Sequence, residues 1–144
     1  MQNKQEIEMA VVSLQAEVAR PVADVWPMIG GFFDLSKWLD VECRRLSGDG
    51  DVGSLRLVGN AIIEPLVARS ATSYSYAQIR GPMAQYYYHG TVSCSSAGSA
   101  ASTIDYTLLF DASSMTIDVR AREEARLSKR FGGALDAMVR EVSR

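Results

Sequence analysis

The 144-residue sequence predicts an α+β fold in which a curved seven-stranded antiparallel sheet wraps around a long C-terminal helix, with two short helices between the first and second strands. Three observations support this prediction. Apolar and polar residues alternate near the N-terminus, and turn signals recur about every ten residues through the central part of the chain. The C-terminal segment carries an apolar stripe with helical spacing. A single domain over residues 1–144 is expected, with residues 1–6 as a candidate disordered segment.

The first elements are a strand and two short helices. Residues 7–18 alternate loosely between apolar and polar side chains, which is typical of a half-buried strand. Pro21 suits the first position of a helix, because its missing N–H would be unpaired there in any residue. Gly30-Gly31 ends that helix, and a second short helix is predicted over residues 34–38.

The middle of the chain is all strand. Clusters of Gly, Pro, Ser and Asn break it at short intervals, so consecutive strands are expected to pair as an antiparallel meander. The predicted strands lie near residues 41–47, 53–58, 61–69, 72–80, 85–95 and 102–111.

The end of the chain is a long helix that begins between Ser114 and Arg120. Its apolar stripe consists of Leu127, Phe131, Ala134, Leu135, Met138 and Val142. Gly132-Gly133 interrupts the helix at a cost of about 1 kcal/mol per glycine relative to alanine. A close approach of another segment, or a bend, is expected there.

Composition excludes several classes of protein. Apolar residues make up 47% of the chain and charged residues 22%, as in ordinary globular domains, and the net charge of −2 gives no basic footprint for nucleic acid. No apolar run is long enough for a membrane span, and the N-terminus lacks the shape of a signal peptide. Two cysteines and one histidine fit neither a disulfide framework nor a four-ligand zinc site. A cytoplasmic protein without metal or cofactor is expected, and its oligomeric state, homodimer included, is left open.

The order of elements and several short motifs resemble the START-like, or Bet v 1-like (SRPBCC), superfamily, and within it the polyketide cyclase/dehydratase-like branch. The residues that carry the resemblance are Pro21-Val22-Ala23-Asp24-Val25-Trp26, Leu35-Ser36-Lys37-Trp38, Glu64-Pro65-Leu66, Gly81-Pro82-Met83, Tyr88-His89-Gly90-Thr91-Val92, and Phe131 with Ala134-Leu135-Asp136-Ala137-Met138. Pro65 replaces a usual arginine, Asp40 a frequent proline, and Ala134 a common glycine.

The resemblance implies a helix-grip fold with a deep, mostly apolar cavity between helix and sheet. It also implies a hydrophobic or aromatic small molecule as the ligand. Members of the superfamily include polyketide cyclases, hormone receptors, lipid carriers and lyases, so the fold alone does not fix an activity.

Strand alternation and the resemblance together give candidate site residues. Alternation does not decide which face Glu64 occupies, because apolar residues flank it on both faces of its strand. The resemblance places Glu64 on the cavity side beside Tyr88, and these two are the candidate catalytic acid–base residues. The candidate substrate-binding residues are Tyr76, Gln78, Tyr86, Tyr106, Leu57, Met83, Phe110, Phe131 and Leu135. The alternative is that the tyrosines only pack, since tyrosine suits half-buried strands.

Other motifs are assigned no chemistry. The run Gly48–Gly53 fits a dinucleotide-binding pattern by letter, but no helix follows it, so a hairpin loop is predicted. His89 should face away from the cavity if Tyr88 faces into it. The loops at 58–61 and 80–84 are either gates over the cavity or ordinary turns.

Three functions remain open at this point. The chain is a cofactor-independent enzyme of the cyclase/dehydratase or lyase type, a non-catalytic carrier or sensor of a small molecule or lipid, or a protein-interaction module. The third has no positive support in the sequence.

Overall fold

The computed structural model describes residues 6–144, and within them seven strands form one antiparallel sheet. The order across the sheet is β1-β7-β6-β5-β4-β3-β2. The strands are β1 (Met9–Val18), β2 (Cys43–Ser47), β3 (Leu55–Val58), β4 (Ile62–Ser70), β5 (Ser73–Ala77), β6 (His89–Ser96) and β7 (Ser102–Asp111). The predicted meander is therefore confirmed from β2 to β7, while β1 adds beside β7. Disorder is predicted for residues 1–6, and residues 1–5 of this segment lie outside the described part of the chain.

Two α-helices accompany the sheet in the described residues. Helix α1 (Val22–Ile29) follows Pro21, which stands one position before the helix with a φ of −70°. A short 3₁₀ turn at Leu35–Lys37 takes the place of the second short helix. Helix α2 (Ile117–Val142) begins where the Thr116 hydroxyl accepts a hydrogen bond from the Val119 N–H at 3.2 Å. Neither helix in residues 6–144 is long and apolar enough to cross a membrane.

Strand β1 ties the two ends of the chain together. It pairs with β7 along its whole length, from Met9 opposite Asp111 to Val18 opposite Ser102. Just beyond, the Ser102 hydroxyl donates to the Arg20 carbonyl at 2.6 Å, and an Arg20 Nη1 donates to the Val142 carbonyl at 3.1 Å. These bonds hold the end of α2 against the start of the sheet.

Helix α2 packs against one side of the curved sheet. It packs mainly against β1 and β7 and inserts its predicted apolar stripe, all six residues of which are buried. Irregular registers in β2, between Arg45 and Ser47, and in β4, between Leu66 and Ala68, bend the other side of the sheet. A space therefore remains between α2 and strands β3 to β5.

Two local predictions are wrong. The strand expected over 85–95 begins only at His89, because Ala84–Tyr86 form a 3₁₀ turn and Tyr87 adopts a left-handed φ of 56° that turns the chain. Tyr86 therefore does not share a strand face with Tyr88. In addition, the close approach expected at Gly132-Gly133 is not found within residues 6–144, where a Cβ added at either glycine would meet nothing within 4 Å. The alternative, a bend in the helix, stays a prediction.

Candidate functional site

The space between α2 and the sheet is a cavity of about 450 Å³. Strands β3 to β5 form one wall, α2 forms the opposite wall, and the 3₁₀ turn at 35–37 and the loop after β5 close the sides. The lining residues are Leu35, Leu39, Val58, Ile62, Glu64, Tyr76, Gln78, Pro82, Met83, Tyr88, Glu123, Arg126, Leu127, Arg130 and Phe131. The lining is thus largely apolar and aromatic, with a small set of polar groups.

A buried ion pair lies at the sheet wall of the cavity, which its glutamate lines. The three-residue turn between β3 and β4 sets a register in which Arg56 stands directly opposite Glu64. The Arg56 Nε donates to Glu64 Oε1 at 2.9 Å, and Nη1 donates to the Phe32 carbonyl at 2.7 Å. Nη2 also lies 2.9 Å from Glu64 Oε1, without the alignment of a hydrogen bond. Arg56 is 0% exposed and Glu64 5% exposed, so water screens this pair very little.

Aromatic rings enclose the Arg56 guanidinium on two sides. Its Cζ lies 4.4 Å from the ring centroid of Phe32 and 4.5 Å from that of Tyr76. A planar guanidinium is more weakly hydrated than an ammonium and stacks well on aromatic faces, which makes arginine the cation best suited to this position. The result is a fixed positive charge that holds Glu64 in one orientation.

The electrostatics of Glu64 combine two opposing effects. Burial raises its pKa, while the charge and hydrogen bonds of Arg56, and hydrogen bonding to Gln78, oppose that rise. Burial also acts to lower the pKa of Arg56, but the neighbouring Glu64 carboxylate outweighs it and the pKa is raised. Since arginine stays protonated and a lone buried cation is costly, the ionised form of Glu64 is the partner that Arg56 requires.

Buried tyrosine hydroxyls lie close to the Arg56–Glu64 pair and add further polar groups to this part of the core. The hydroxyls of Tyr76 and Tyr106 lie 2.9 Å apart and share a hydrogen bond. Burial raises the pKa values of Tyr76, Tyr88 and Tyr106 well above the ordinary value, so these phenols are protonated at neutral pH. They can donate hydrogen bonds but carry no charge.

The position of the Tyr76 ring depends on a glycine in the next strand. Gly90 is the direct partner of Tyr76 in the β5–β6 ladder. A Cβ added at Gly90 would overlap the Tyr76 ring and its hydroxyl. The absence of a side chain at Gly90 therefore lets the Tyr76 ring lie flat across β6, under Arg56.

The loop after β5 is connected to the polar wall. The Gln78 Oε1 accepts a hydrogen bond from the Met83 N–H at 2.7 Å, and Met83 lies over the cavity. Gly81 makes this reversal possible with a φ of 129°, a conformation that side chains disfavour. Whether the 80–84 loop and the 58–61 turn open as gates stays a prediction.

The structure brings together part of the predicted site. Glu64 and Tyr88 both line the cavity, and so do four of the predicted substrate-binding residues: Tyr76, Gln78, Met83 and Phe131. The other five do not line it: Tyr86, Tyr106, Leu57, Phe110 and Leu135. Tyr106 lies behind Tyr76, bonded to its hydroxyl, while Phe110 and Leu135 belong to the packed core on the side where α2 touches the sheet.

Leu57 and His89 illustrate the alternation of strand faces. In β3 the buried face carries Arg56 and Val58, so Leu57 belongs to the other face. His89 likewise does not line the cavity, and its Nδ1 lies 2.9 Å from the Tyr87 carbonyl.

Sequence reasoning missed Arg56. The signal was available: with Gly59-Asn60 at the turn, a three-residue connection pairs Val58 with Ile62 and therefore Arg56 with Glu64. An arginine and a glutamate directly opposite each other on an otherwise apolar hairpin indicate an ion pair. The charged residues that α2 brings to the mouth, Glu123, Arg126 and Arg130, were also missed, because they lie beside the apolar stripe rather than on it.

A long helix held against a curved antiparallel sheet, with an apolar hollow between them, defines a helix-grip protein. The sequence matches the family described as polyketide cyclase / dehydrase and lipid transport over residues 9–143, and the chain belongs to this family. The resemblance drawn from its motifs is thereby confirmed. No curated protein matches the sequence at a significant level.

Solved structures share the fold at low sequence identity. A protein from Nitrosospira multiformis is 20% identical with a TM-score of 0.78, covering 92% of this chain and 96% of that chain. The Zhui aromatase/cyclase from Streptomyces sp. R1128 is 16% identical with a TM-score of 0.75, covering 95% of each chain. A norcoclaurine synthase mutant from Thalictrum flavum, in complex with a transition-state analogue, is 18% identical with a TM-score of 0.72, covering 96% of this chain and 97% of that chain.

Proposed function

We propose that this protein binds a hydrophobic or aromatic small molecule in the cavity between α2 and strands β3 to β5. The observation that carries the proposal is the cavity itself: about 450 Å³, with a mainly apolar lining, a few polar groups on the sheet side and charged side chains of α2 at the mouth. Pockets for small molecules typically have volumes of about 300–1,000 Å³ and this kind of lining. Family membership supports the same conclusion.

The polar wall indicates what the buried part of the ligand needs. Glu64 is neutralised by Arg56, and the Tyr88 phenol is uncharged, so the inner end of the cavity presents hydrogen-bonding groups without excess charge. A ligand with an apolar framework and one oxygen or nitrogen atom that forms hydrogen bonds would pair with these groups. A buried cation or anion at that end would lack a counter-charge.

The neutral fluorescent probe N-phenyl-1-naphthylamine tests the binding site, because its emission rises in apolar surroundings. We expect the wild-type protein to bind it. Replacing Ile62→Trp fills part of the cavity and should weaken binding about tenfold or more, equivalent to about 1.4 kcal/mol. The matched control Val67→Trp makes a similar change in the same strand, at a side chain that is exposed and outside the cavity.

Equal binding by the wild type and both variants would place the probe elsewhere. A wild type that does not bind the probe at all would overturn the proposal.

A second candidate function is a cofactor-independent enzyme of the cyclase/dehydratase or lyase type. What favours it is that Glu64 and Tyr88 both line the cavity, with a carboxyl whose pKa is raised by burial next to protonated phenols. In this mechanism the Glu64 carboxylate removes a proton from an acidic C–H of the ligand. The Tyr88 hydroxyl donates a hydrogen bond to the oxygen on which negative charge develops. A non-catalytic carrier or sensor needs the cavity alone.

Product formation separates the enzyme from the carrier. The protein is incubated with a panel of aryl ketones that carry an acidic C–H, and binding and conversion are both followed. Because the base is the ionised form of Glu64, whose pKa is raised, turnover should fall as the pH drops through a value above 4.5. Glu64→Gln should abolish turnover, and Tyr88→Phe should lower it about 100- to 1,000-fold, as for the loss of one hydrogen-bond donor to a developing negative charge. Binding without conversion between about pH 5 and about pH 9 favours the carrier.

A further inference from the structure

The mouth of the cavity carries charged side chains in addition to the Arg56–Glu64 pair of the inner wall. The three charged residues that α2 contributes, Glu123, Arg126 and Arg130, lie one helical turn apart along the rim. Glu123 and Arg126 neutralise each other, with Arg126 Nε 2.6 Å from Glu123 Oε2. Arg130 makes no ion pair with any residue in the described part of the chain. The charge of Arg130 also reaches Glu64 and helps to lower its pKa, but that carboxylate is already paired with Arg56. Within residues 6–144 the rim therefore presents one guanidinium without an ion-pair partner of its own.

Arg130 stands at the junction between the solvent and the aromatic lining. Its side chain is exposed, whereas the next residue, Phe131, is buried, lines the cavity and packs against the Tyr106 ring at a centroid distance of 4.8 Å and an interplanar angle of 42°. The Arg130 Cζ lies 5.9 Å from the Phe131 ring centroid. A ligand whose ring packs on Phe131 would therefore have its outer end beside Arg130.

The two ends of the cavity thus select for different chemistry. The inner end, at Glu64 and Tyr88, suits an uncharged hydrogen-bonding group, because its one carboxylate is already paired. The outer end favours an anion, and a planar carboxylate matches the two-pronged geometry of the guanidinium. A cationic amine at the same position would meet a like charge.

Resting on the proposed function, we propose that the ligand is an aromatic carboxylic acid, with its ring system in the cavity and its carboxylate held at the mouth by Arg130. The exposed position of Arg130 limits this contribution, because water and salt screen it. We expect a preference of about two- to fivefold for the acid over an uncharged ligand of the same shape, in the range of exposed ion pairs.

The test is a displacement experiment at pH 7.5 with N-phenyl-1-naphthylamine in the cavity. 2-Naphthoate and the uncharged 2-naphthamide have nearly the same shape and differ in charge. We expect naphthoate to displace the probe at a concentration about two- to fivefold lower than naphthamide, with the difference shrinking as salt is added. In Arg130→Gln the ratio should fall to about one, and Arg130→Lys should retain part of it.

Arg122→Gln provides the matched control, since it removes the same charge from an exposed position of the same helix that does not line the cavity. It should retain the wild-type ratio. If the probe binds but naphthoate fails to displace it, or displaces it no better than naphthamide, the carboxylate inference is wrong and the cavity remains a binding site. An equal loss in Arg122→Gln and Arg130→Gln would show a general charge effect and also overturn it. If the probe does not bind, the proposed function fails first.

Discussion

Arg56 connects more parts of the site than any other single side chain described above. It bonds Glu64 in the neighbouring strand and the carbonyl of Phe32 before the first short turn, and it lies between two aromatic rings. A buried ion pair of this kind is weak support for stability in itself, because desolvation offsets much of the attraction. Its value here is orientation, since it fixes the direction of the Glu64 carboxylate at the cavity wall.

Removing only one partner of the pair should be costly. Arg56→Met leaves the Glu64 carboxylate buried without a counter-charge, and we expect the free energy of unfolding to fall by about 3–5 kcal/mol. The double variant Arg56→Met, Glu64→Leu should recover much of that loss, because neither charge is then buried alone. Urea unfolding of the wild type, both single variants and the double variant measures the coupling. Additive effects would contradict the prediction.

Gly90 should tolerate no side chain. Gly90→Ala places a methyl group where the Tyr76 ring lies, so either the ring or strand β6 must move. We expect a loss of about 1–3 kcal/mol in the free energy of unfolding, as for overpacked cores. Tyr76→Ala in the same background should make Gly90→Ala much less harmful. Equal effects of Gly90→Ala in both backgrounds would indicate that the ring is not the obstacle.

Among the elements, α2 offers an opportunity for stabilisation. Gly132 and Gly133 lie inside the helix, where each is expected to be less favourable than alanine, and a Cβ at either meets nothing within 4 Å. Gly132→Ala and Gly133→Ala should each raise the free energy of unfolding by about 0.5–1 kcal/mol. Thermal and urea unfolding measure the change. A loss of stability in either variant would mean that the helix needs a flexible point at that position.

The elements also show how far the sequence carries a prediction. The apolar stripe of α2 and the turn signals between strands β2 and β7 were strong enough to predict the element order and the sheet. The structure of the segment from Gln78 to Tyr88 is not predictable in this way, because a 3₁₀ turn and a left-handed Tyr87 depend on the tertiary structure around them. Alternation fails across such a segment, so it places Tyr86 in a strand instead of the 3₁₀ turn.

The candidate site was less predictable than the fold. Glu64 has apolar neighbours on both faces of β4, so periodicity does not show which face it occupies. Its pairing with the buried Arg56 is what fixes that face. Which residues line the cavity depends on where α2 stands away from the sheet. Phe110 and Leu135 have the expected orientation, yet they lie where the helix and sheet touch.

For the whole molecule, the buried phenols predict how stability depends on alkaline pH. Burial raises the pKa of Tyr74, Tyr76, Tyr88 and Tyr106 above the ordinary value of about 10. The unfolded chain releases these protons near pH 10 while the folded protein keeps them. The free energy of unfolding should therefore fall as pH rises above about 10, by up to about 1.4 kcal/mol per pH unit for each phenol.

Tyrosinate absorbance and urea unfolding between about pH 8 and about pH 12 check this prediction. The buried phenols should ionise together with unfolding. Ionisation of all the tyrosines near pH 10 in a protein that is still folded would contradict it.

The pairing of the first strand with the last gives the chain a particular order of assembly. Met9 leaves the ribosome about a hundred residues before Asp111, its partner in the ladder, and α2 follows later still. Such distant contacts slow folding, because the intervening chain must be closed into a loop before they form. A nascent chain that stops before β7 should therefore remain open to proteolysis at its N-terminal strand, and the cavity can close only when α2 has been synthesised.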